Sequence, residues 1–278
     1  PALAPGAVAD DALLRVVARH VDGGGTAEEA VGRGVARIGT DGAERLVAAG
    51  QVVAVFGLGG DDLLVSGRGA QTLAGGQGDD TYILGDAADR VIEAPGEGYD
   101  TLRTALPGVV LPDAVERLVL LGDGAIDGTG NALDNALVGN DGANLLRGMA
   151  GEDLLRGGEG NDTLVGGAGL DRLVGGGGAD LFLLEAAEDG WDRVSDFTPG
   201  LDRIGLDVGA FGALDEGSLD PARFEDRATA TRAETRLLYD AATGWLRFDA
   251  DGAGAGIAVP LLRLVTRPEL SAADIVVV

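Results

Sequence analysis

The sequence predicts a mainly β protein wound as a parallel β-solenoid, and three observations carry that expectation. First, a nine-residue unit repeats without a gap from Gly130 to Leu183: GNALDNALV, GNDGANLLR, GMAGEDLLR, GGEGNDTLV, GGAGLDRLV and GGGGADLFL. Second, two places in the unit stay in register. The sixth is Asn135, Asn144, Asp153, Asp162, Asp171 and Asp180; the eighth is Leu137, Leu146, Leu155, Leu164, Leu173 and Phe182. Third, 45% of the residues are hydrophobic but only 4% are aromatic, which suits the thin core of a repeat protein better than a globular enzyme of this length.

Each half of the unit has its own reason. Six glycine-rich residues make a turn, since glycine takes a positive φ without a Cβ clash. Three residues then make a short strand, in which only the eighth side chain faces inward and the seventh and ninth face out. Arg147, Arg156 and Arg172 stand at those outward places. Two turns and two strands close one coil of 18 residues, so Asp153 falls over Asp171 on one edge and Asp162 over Asp180 on the other. Coils stack at the ordinary strand spacing of about 4.8 Å.

Carboxylates stacked that closely repel, so the ladder needs cations. Asp oxygens and glycine-turn carbonyls are hard donors, which suit a calcium ion taking six to eight oxygens. The turn carbonyls on offer belong to Gly151, Gly158, Gly160, Gly167, Gly169, Gly176 and Gly178. With no Cys and a single His, His20, the usual soft-ligand zinc or copper site cannot be built. Glycine loops also cradle phosphates, but here each loop carries an Asp that would repel one. The pattern resembles the Gly-Gly-x-Gly-x-Asp-x-Leu-x nonapeptide of the RTX (repeats-in-toxin, haemolysin-type) family, whose repeats bind calcium in a parallel β-roll. The resemblance implies a calcium-stabilised roll with several Ca2+ ions. Departures from it weaken the first two units of the block. Asn135 and Asn144 are neutral, Asn131, Asn140 and Met149 replace the second glycine, and Leu133 replaces the fourth. The best ladder is therefore expected from Asp153, Asp162, Asp171 and Asp180, with Asn144 a poorer ligand.

A more ragged block lies upstream, and the roll is expected to span residues 51–204, with repeat blocks at 56–103 and 130–183. In the same register, Phe56–Leu64 puts Asp61 at position six and Leu63 at position eight. Ser66–Ala74 follows after one extra residue, with Gln71 in the Asp place; Gly75–Ile83 restores Asp80 and Tyr82, and Pro95–Arg103 adds Asp100. Between the blocks, residues 104–129 hold the apolar runs Gly108–Leu111 and Leu118–Leu121. They read either as coils that lost their ligands or as a spacer.

The ends differ in character. Asp10–Gly50 reads as helices: one capped at Asp10-Asp11 and running to about His20, a second opening at Thr26-Ala27-Glu28-Glu29 and running to about Ile38, and a third from Asp41 to Ala49. Residues 1–50 are thus expected to form a helical N-terminal cap, covering an otherwise open strand edge, or a partner-binding helix pair. Pro1–Gly6 shows no basic region and no long apolar core of a secretory leader. Downstream, residues 184–204 resemble the closing coil of RTX rolls. Trp191 and Phe197 would cover the core's end, and Asp192, Asp196 and Asp202 are either further ligands or ordinary turn aspartates. Residues 205–278 read as β-rich, with strands at Thr235–Asp240, Trp245–Asp249 and Ile257–Val265. Their apolar end, Asp274-Ile275-Val276-Val277-Val278, resembles the C-terminal signal that serralysin-type secreted proteins present to the type I secretion machinery.

Composition narrows function further. A net charge of −25, with arginine the sole strong base, argues against nucleic acid and anionic membrane surfaces. No apolar run reaches the roughly 18–20 residues of a membrane span. The histidines of a serralysin-type zinc site are missing, no GxSxG surrounds Ser66, Ser195, Ser218 or Ser271, and no catalytic site is expected. Three readings remain open. The chain is a secreted structural calcium-binding protein at the surface or outside of a Gram-negative bacterium, or the non-catalytic secretion and folding module of a larger secreted enzyme, or an adhesin-like module. Self-assembly or a cell-surface glycan would be the partner beyond calcium.

Overall fold

The computed structural model describes residues 36–48, 52–186 and 190–278. Among them the chain is β throughout: short strands joined by tight turns, two three-residue 3-10 turns, and no α-helix. It divides into two compact units. One comprises residues up to Leu106 with Pro112–Arg117; the other comprises Pro107–Leu111 with Leu118–Val278.

The first unit holds β1 (Ala36–Ile38), β2 (Arg45–Val47), β3 (Ala54–Gly59), β4 (Leu63–Val65), β5 (Thr72–Gln77), β6 (Thr81–Leu84), β7 (Arg90–Val91) and β8 (Thr101–Thr104). Odd strands form one sheet in the order β1-β3-β5-β7, and even strands form the facing row β2-β4-β6-β8. All pairs are parallel, with Ala36 beside Ala54 beside Thr72 beside Arg90. The chain therefore alternates between two sheets, one coil per pair of strands. Val55, Leu73 and Val91 from one sheet and Leu46, Leu64, Tyr82 and Leu102 from the other are buried between them.

Two expectations are corrected here. Leu64, fully buried, is the inward residue of β4, and Leu63 is only half-buried. The repeat at this point is Gly57–Val65, with Asp62 rather than Asp61 at position six. Read so, the upstream units follow one another with no extra residue, and Asp62 lies 18 before Asp80. Because strand side chains alternate, a slip of one residue exchanges the inner and outer sets completely. The helical cap is also corrected where it can be seen. Ala36–Ile38 and Arg45–Val47 are strands, and Gly39–Val47 is a degenerate nonapeptide with Glu44 in the sixth place and Leu46 in the eighth. The expected helices from Asp10 to His20 and from Thr26 up to β1 lie outside the described residues.

The second unit contains β9 (Val109–Val110), Leu118–Leu120 of β10 (Arg117–Leu120), β11 (Gly128–Thr129), β12 (Ala136–Val138), β13 (Leu145–Ala150), β14 (Leu154–Glu159), β15 (Thr163–Ala168), β16 (Arg172–Gly177), β17 (Leu181–Leu184), β18 (Asp192–Val194) and β19 (Arg203–Leu206). It too alternates between two parallel sheets, so the runs between the repeat blocks are strands of the coil and not a spacer. Register advances by 18: Leu137 beside Leu155 beside Leu173, and Leu146 beside Leu164 beside Phe182. These six side chains are all within 1% of complete burial, as the eighth position requires.

The C-terminal stretch continues both sheets with β20 (Gly217–Ser218), β21 (Phe224–Asp226), β22 (Leu237–Asp240), β23 (Trp245–Phe248), β24 (Val259–Leu264) and β25 (Ile275–Val277). β24 pairs in parallel with β18 and antiparallel with β23, which forms the expected hairpin with β22. β25 runs parallel to β19, placing Ile275 beside Ile204. Phe197 is buried against Phe182 with ring centres 6.0 Å apart, but neither it nor Trp191 closes the core, because β24 and β25 extend both sheets past β18 and β19. Trp191 stands on the outer side, edge-on to Trp245 at 4.6 Å and under the Arg193 guanidinium, because it shares parity with outward Arg193 while Asp192 and Val194 point in.

Candidate metal centre

Position six lies at the end of each turn, where the chain enters a strand, and its side chain folds inward under the turn. In most units its burial is nearly complete: Asp62, Asp80, Asp100, Asp153, Asp162, Asp171, Asp180, Asp192 and Asp202 are all 5% exposed or less, while Glu44 and Asp89 are half-buried. One carboxylate oxygen of each reaches the backbone of the coil before it. The N–H of Asp62 donates to Asp80 Oδ1 at 2.7 Å, Asp80 to Asp100 at 2.8 Å, Asp153 to Asp171 at 2.8 Å and Asp162 to Asp180 at 2.9 Å. The rows end on the expected closing residues, with Asp171 donating to Asp192 at 3.2 Å and Asp180 to Asp202 at 3.0 Å. Nine-residue spacing thus becomes two ladders, one on each edge of the coil.

The second oxygen is the informative one. Asp62, Asp80, Asp153, Asp162 and Asp171 each leave Oδ2 buried with no hydrogen-bond partner. That oxygen lies over the first glycine of its own turn. A Cβ at Gly57, Gly148, Gly157 or Gly166 would sit 2.1–2.3 Å from it, so at these places position one must be glycine on steric grounds. The seven glycines expected to lend carbonyls, Gly151, Gly158, Gly160, Gly167, Gly169, Gly176 and Gly178, all have φ between 102° and 147°. They stack so closely that a Cβ on Gly178 would meet the Gly160 carbonyl oxygen at 1.7 Å. At position one the Cβ points of Gly57, Gly148 and Gly157 also lie 2.4–2.6 Å from the carbonyl oxygens of Gly75, Gly166 and Gly175, so carbonyl and unpaired carboxylate oxygens converge there between successive turns.

Electrostatics agrees. Burial, followed by like charge along the row, pushes Asp80 and Asp153 up to about 7 and Asp100 and Asp162 up to about 6, despite the N–H bonds that oppose it. Asp192 is driven to about 8 by burial and by Asp171. Glu225 shows what a satisfied buried carboxylate looks like in the same chain. Burial raises it, but bonds from Thr235, Arg232 and Thr231 prevail and hold it at about 2. Among the described residues the Oδ2 atoms of the ladder have no such donors, and an unpaired buried anion is costly. Oxygen-only donors, net negative and half unpaired, fit a hard divalent cation of calcium's class.

The neutral members of the ladder behave differently. Asn144 Nδ2 donates to Ile126 O at 2.7 Å and Asn140 Oδ1 at 3.0 Å, and its Oδ1 accepts from Asn140 N. Asn135 Nδ2 reaches Asn131 Oδ1 at 3.0 Å, and Gln71 Nε2 reaches Val52 O at 3.0 Å. An amide N–H here stands where a cation would otherwise neutralise the row. Asn131 and Asn140, in the second-glycine place, do not take a left-handed backbone. Met149 adopts it, with φ 86°.

The structure places the remaining expected residues as follows. Asp61 stands one position outward, exposed, and accepts from Asp79 N at 2.9 Å in an outer row. Asp196 occupies position one of its coil and caps the turn beside it, accepting from Gly175 N at 3.1 Å and Gly176 N at 2.9 Å. Asp274 is buried and accepts from Ser271 N, Ser271 Oγ and Gly200 N; Ile275 and Val277 enter the core, Val276 is half-buried and Val278 exposed. Sequence reasoning missed Asp62 and Asp89, which accepts from Gln71 N at 3.0 Å. Counting back or forward by 18 from Asp80 and Gln71 finds both. It also missed Glu93 and Glu116, which lie in irregular coils; Glu116 Oε2 takes the Asp100 N–H at 2.7 Å. Asp80, Glu93 and Asp100 bring carboxylate oxygens within 4.8 Å of one another.

Comparison with known proteins gives a consistent picture. The family model described as RTX calcium-binding nonapeptide repeat (4 copies) matches residues 38–70, 56–91, 129–164, 148–182 and 156–190. Among solved structures, the chain is similar to the AlgE6R3 subunit from the Azotobacter vinelandii mannuronan C5-epimerase, at 31% identity over 56% of this chain and 80% of that one, with a TM-score of 0.35. It is also similar to the extracellular lipase LipA from Serratia marcescens, at 17% identity over 87% of this chain, with a TM-score of 0.27; it spans 40% of the lipase's length. No curated protein matches in sequence. Among the described residues no helix is long and apolar enough to cross a membrane.

Proposed function

The chain belongs to the RTX calcium-binding nonapeptide-repeat family, and on that premise we propose that it is a calcium-dependent folding module of a secreted protein, structural rather than catalytic. The observation that carries this reading is the row of buried, unpartnered carboxylate oxygens on Asp62, Asp80, Asp153, Asp162 and Asp171. Calcium bound there would supply positive charge and vacant coordination to oxygens that no group among the described residues satisfies. The aspartates would hold several ions between turns, and the glycine carbonyls would complete each shell.

Where calcium is scarce, a chain of net charge −25 keeps its ladders apart by repulsion, and 49 glycines favour the unfolded ensemble. Such a chain suits passage through a type I channel, C-terminus first. The segment Asp274–Val278 would be free to act as the signal only before β25 docks. Outside the cell, calcium at about tenfold its dissociation constant adds about 1.4 kcal/mol per site, and stacking makes the sites cooperative. One His and no Cys support a role without catalysis. The likeness in sequence to a subunit of a larger epimerase supports a second reading, in which this module serves the secretion and folding of an enzyme.

Calorimetric titration of the chain with calcium tests the proposal. Several ions should bind, and Asp153→Asn with Asp171→Asn should remove at least one of them. Absence of calcium uptake by the unaltered chain would end it.

A further inference from the structure

One coil of the first unit breaks the nonapeptide rule in a way that adds a ligand. β7 pairs with β5 so that Thr72 lies beside Arg90 and Leu73 beside Val91. That register carries Glu93 to the place next to Gly75, the first position of its turn. Where the sixth-place Asp folds back over position one a side chain is barred there, since a Cβ on Gly75 would fall 1.9 Å from Asp80 Oδ2. The turn that follows Glu93 is longer. Asp80 and Asp100 are 20 residues apart instead of 18, and the two added residues make room for a side chain at position one.

The carboxylate of Glu93 turns into the ladder. The Gly75 N–H is shared between the Tyr82 hydroxyl at 2.6 Å and Glu93 Oε1 at 3.0 Å, and Glu93 Oε2 is buried without a partner. Asp80 is 1% exposed; its Oδ1 takes the Asp62 N–H and its Oδ2 is unpartnered. Asp100 is also 1% exposed, and its Oδ1 takes the Asp80 N–H. One oxygen from each of the three lies within 4.8 Å of the others. Two oxygens on one calcium ion are at most about 4.6–5.2 Å apart, twice the calcium–oxygen distance, so the trio can share a single ion. No arginine or lysine ammonium bonds to any of the three among the described residues. The alternative role for Glu93 is a turn cap alone, like that of Asp196, and it leaves the buried Oε2 unexplained.

We propose that Asp80, Glu93 and Asp100 form a three-carboxylate site for one divalent cation of calcium's size, in which a side chain takes the place that turn glycine holds in the regular repeats. The inference rests on the calcium-binding reading of the whole chain. Affinity in oxygen sites rises with the number of charged ligands, so this site fills before the regular turns.

Calcium titration of the full chain by calorimetry, comparing the unaltered protein with Glu93→Gln, tests it. The glutamine keeps an oxygen for the Gly75 N–H and removes the charge. The tightest binding event should weaken about tenfold or more, with the remaining ions unchanged. Identical stoichiometry and affinities in the variant would overturn the site while leaving the regular turns standing. Failure of the unaltered chain to bind calcium would overturn both readings together. Should the variant fold poorly, crystals of the unaltered chain grown with terbium decide the matter. An anomalous peak among the three carboxylates supports the site, and peaks confined to other turns contradict it.

Discussion

At the scale of single residues, the same place in the repeat is filled by aspartate or by an amide, and the two choices solve one electrostatic problem differently. Asn144 donates to Ile126 O and Asn140 Oδ1 and needs no ion, whereas Asp162 and Asp171 leave an oxygen bare. Replacing Asn144 by Asp strands the Ile126 carbonyl, at a cost of about 1–3 kcal/mol. The calcium midpoint for folding should therefore rise, read by circular dichroism. The first glycine of the turn is a second sharp case. A Cβ on Gly166 would meet Asp171 Oδ2 at 2.3 Å, while one on Gly124 would meet nothing within 4 Å. Gly166→Ala should lower stability in calcium by about 1–3 kcal/mol, and Gly124→Ala should leave the melting temperature nearly unchanged. The ladder of the main block was legible residue by residue because six nonapeptides without a gap fix its register. Asp61 and Asp62 are not told apart by the motif, because the adjacent aspartates and leucines in Asp61-Asp62-Leu63-Leu64 fit it in either frame. Only continuity with Asp80, 18 residues on, separates them. Glu93 was invisible to the motif, since it occupies a glycine place.

Among the elements, strands of three to six residues were readable wherever position eight held a leucine, because inward parity alone then sets the face. Gly39–Val47 was not, since its Ala43-Glu44-Arg45-Leu46-Val47 run has good helix formers and its glycines are sparse. Parallel pairing of β2 with β4, which buries Leu46 on Leu64, overrides that local preference. β25 matters to the other end of the chain: Ile275 is fully buried beside Ile204. Ile275→Ala should cost about 2–5 kcal/mol in a calcium-loaded thermal melt, and a cost below about 0.5 kcal/mol would show the strand to be loosely held. The ladders themselves carry a pH dependence. Folding without ions raises these carboxyls from the ordinary aspartate value of 3.8 to about 7 at Asp80 and Asp153, and about 6 at Asp162. The folded state then holds more protons than the unfolded one, so ion-free stability is greatest below about pH 4 and falls as pH rises through about 6 to 7. In chelator, β-structure measured by circular dichroism should be greater at about pH 4.5 than at about pH 8. More structure at the higher pH would contradict the burial of these groups as acids without partners.

For the whole molecule, fold and charge work against each other until the ladders are neutralised. Glycine turns, a core one side chain wide and a net charge of −25 give a folded state with little to spare. Composition alone made that balance legible, as did the absence of soft metal ligands. What composition could not supply was the pairing of β24 with β18 and of β25 with β19, which depends on contacts between residues about 70 apart. Nor could it supply the amide-for-cation exchange in the first units of the main block, which needs the partners of Asn140 and Asn144 in view. The account's central claim is that buried carboxylates on stacked turns are held together by calcium. Far-ultraviolet circular dichroism of the chain near neutral pH, first in chelator and then in millimolar calcium, tests that most directly. The account predicts a disordered spectrum that converts cooperatively to β-structure as calcium is added; a full β spectrum in chelator, unchanged by calcium, would contradict it.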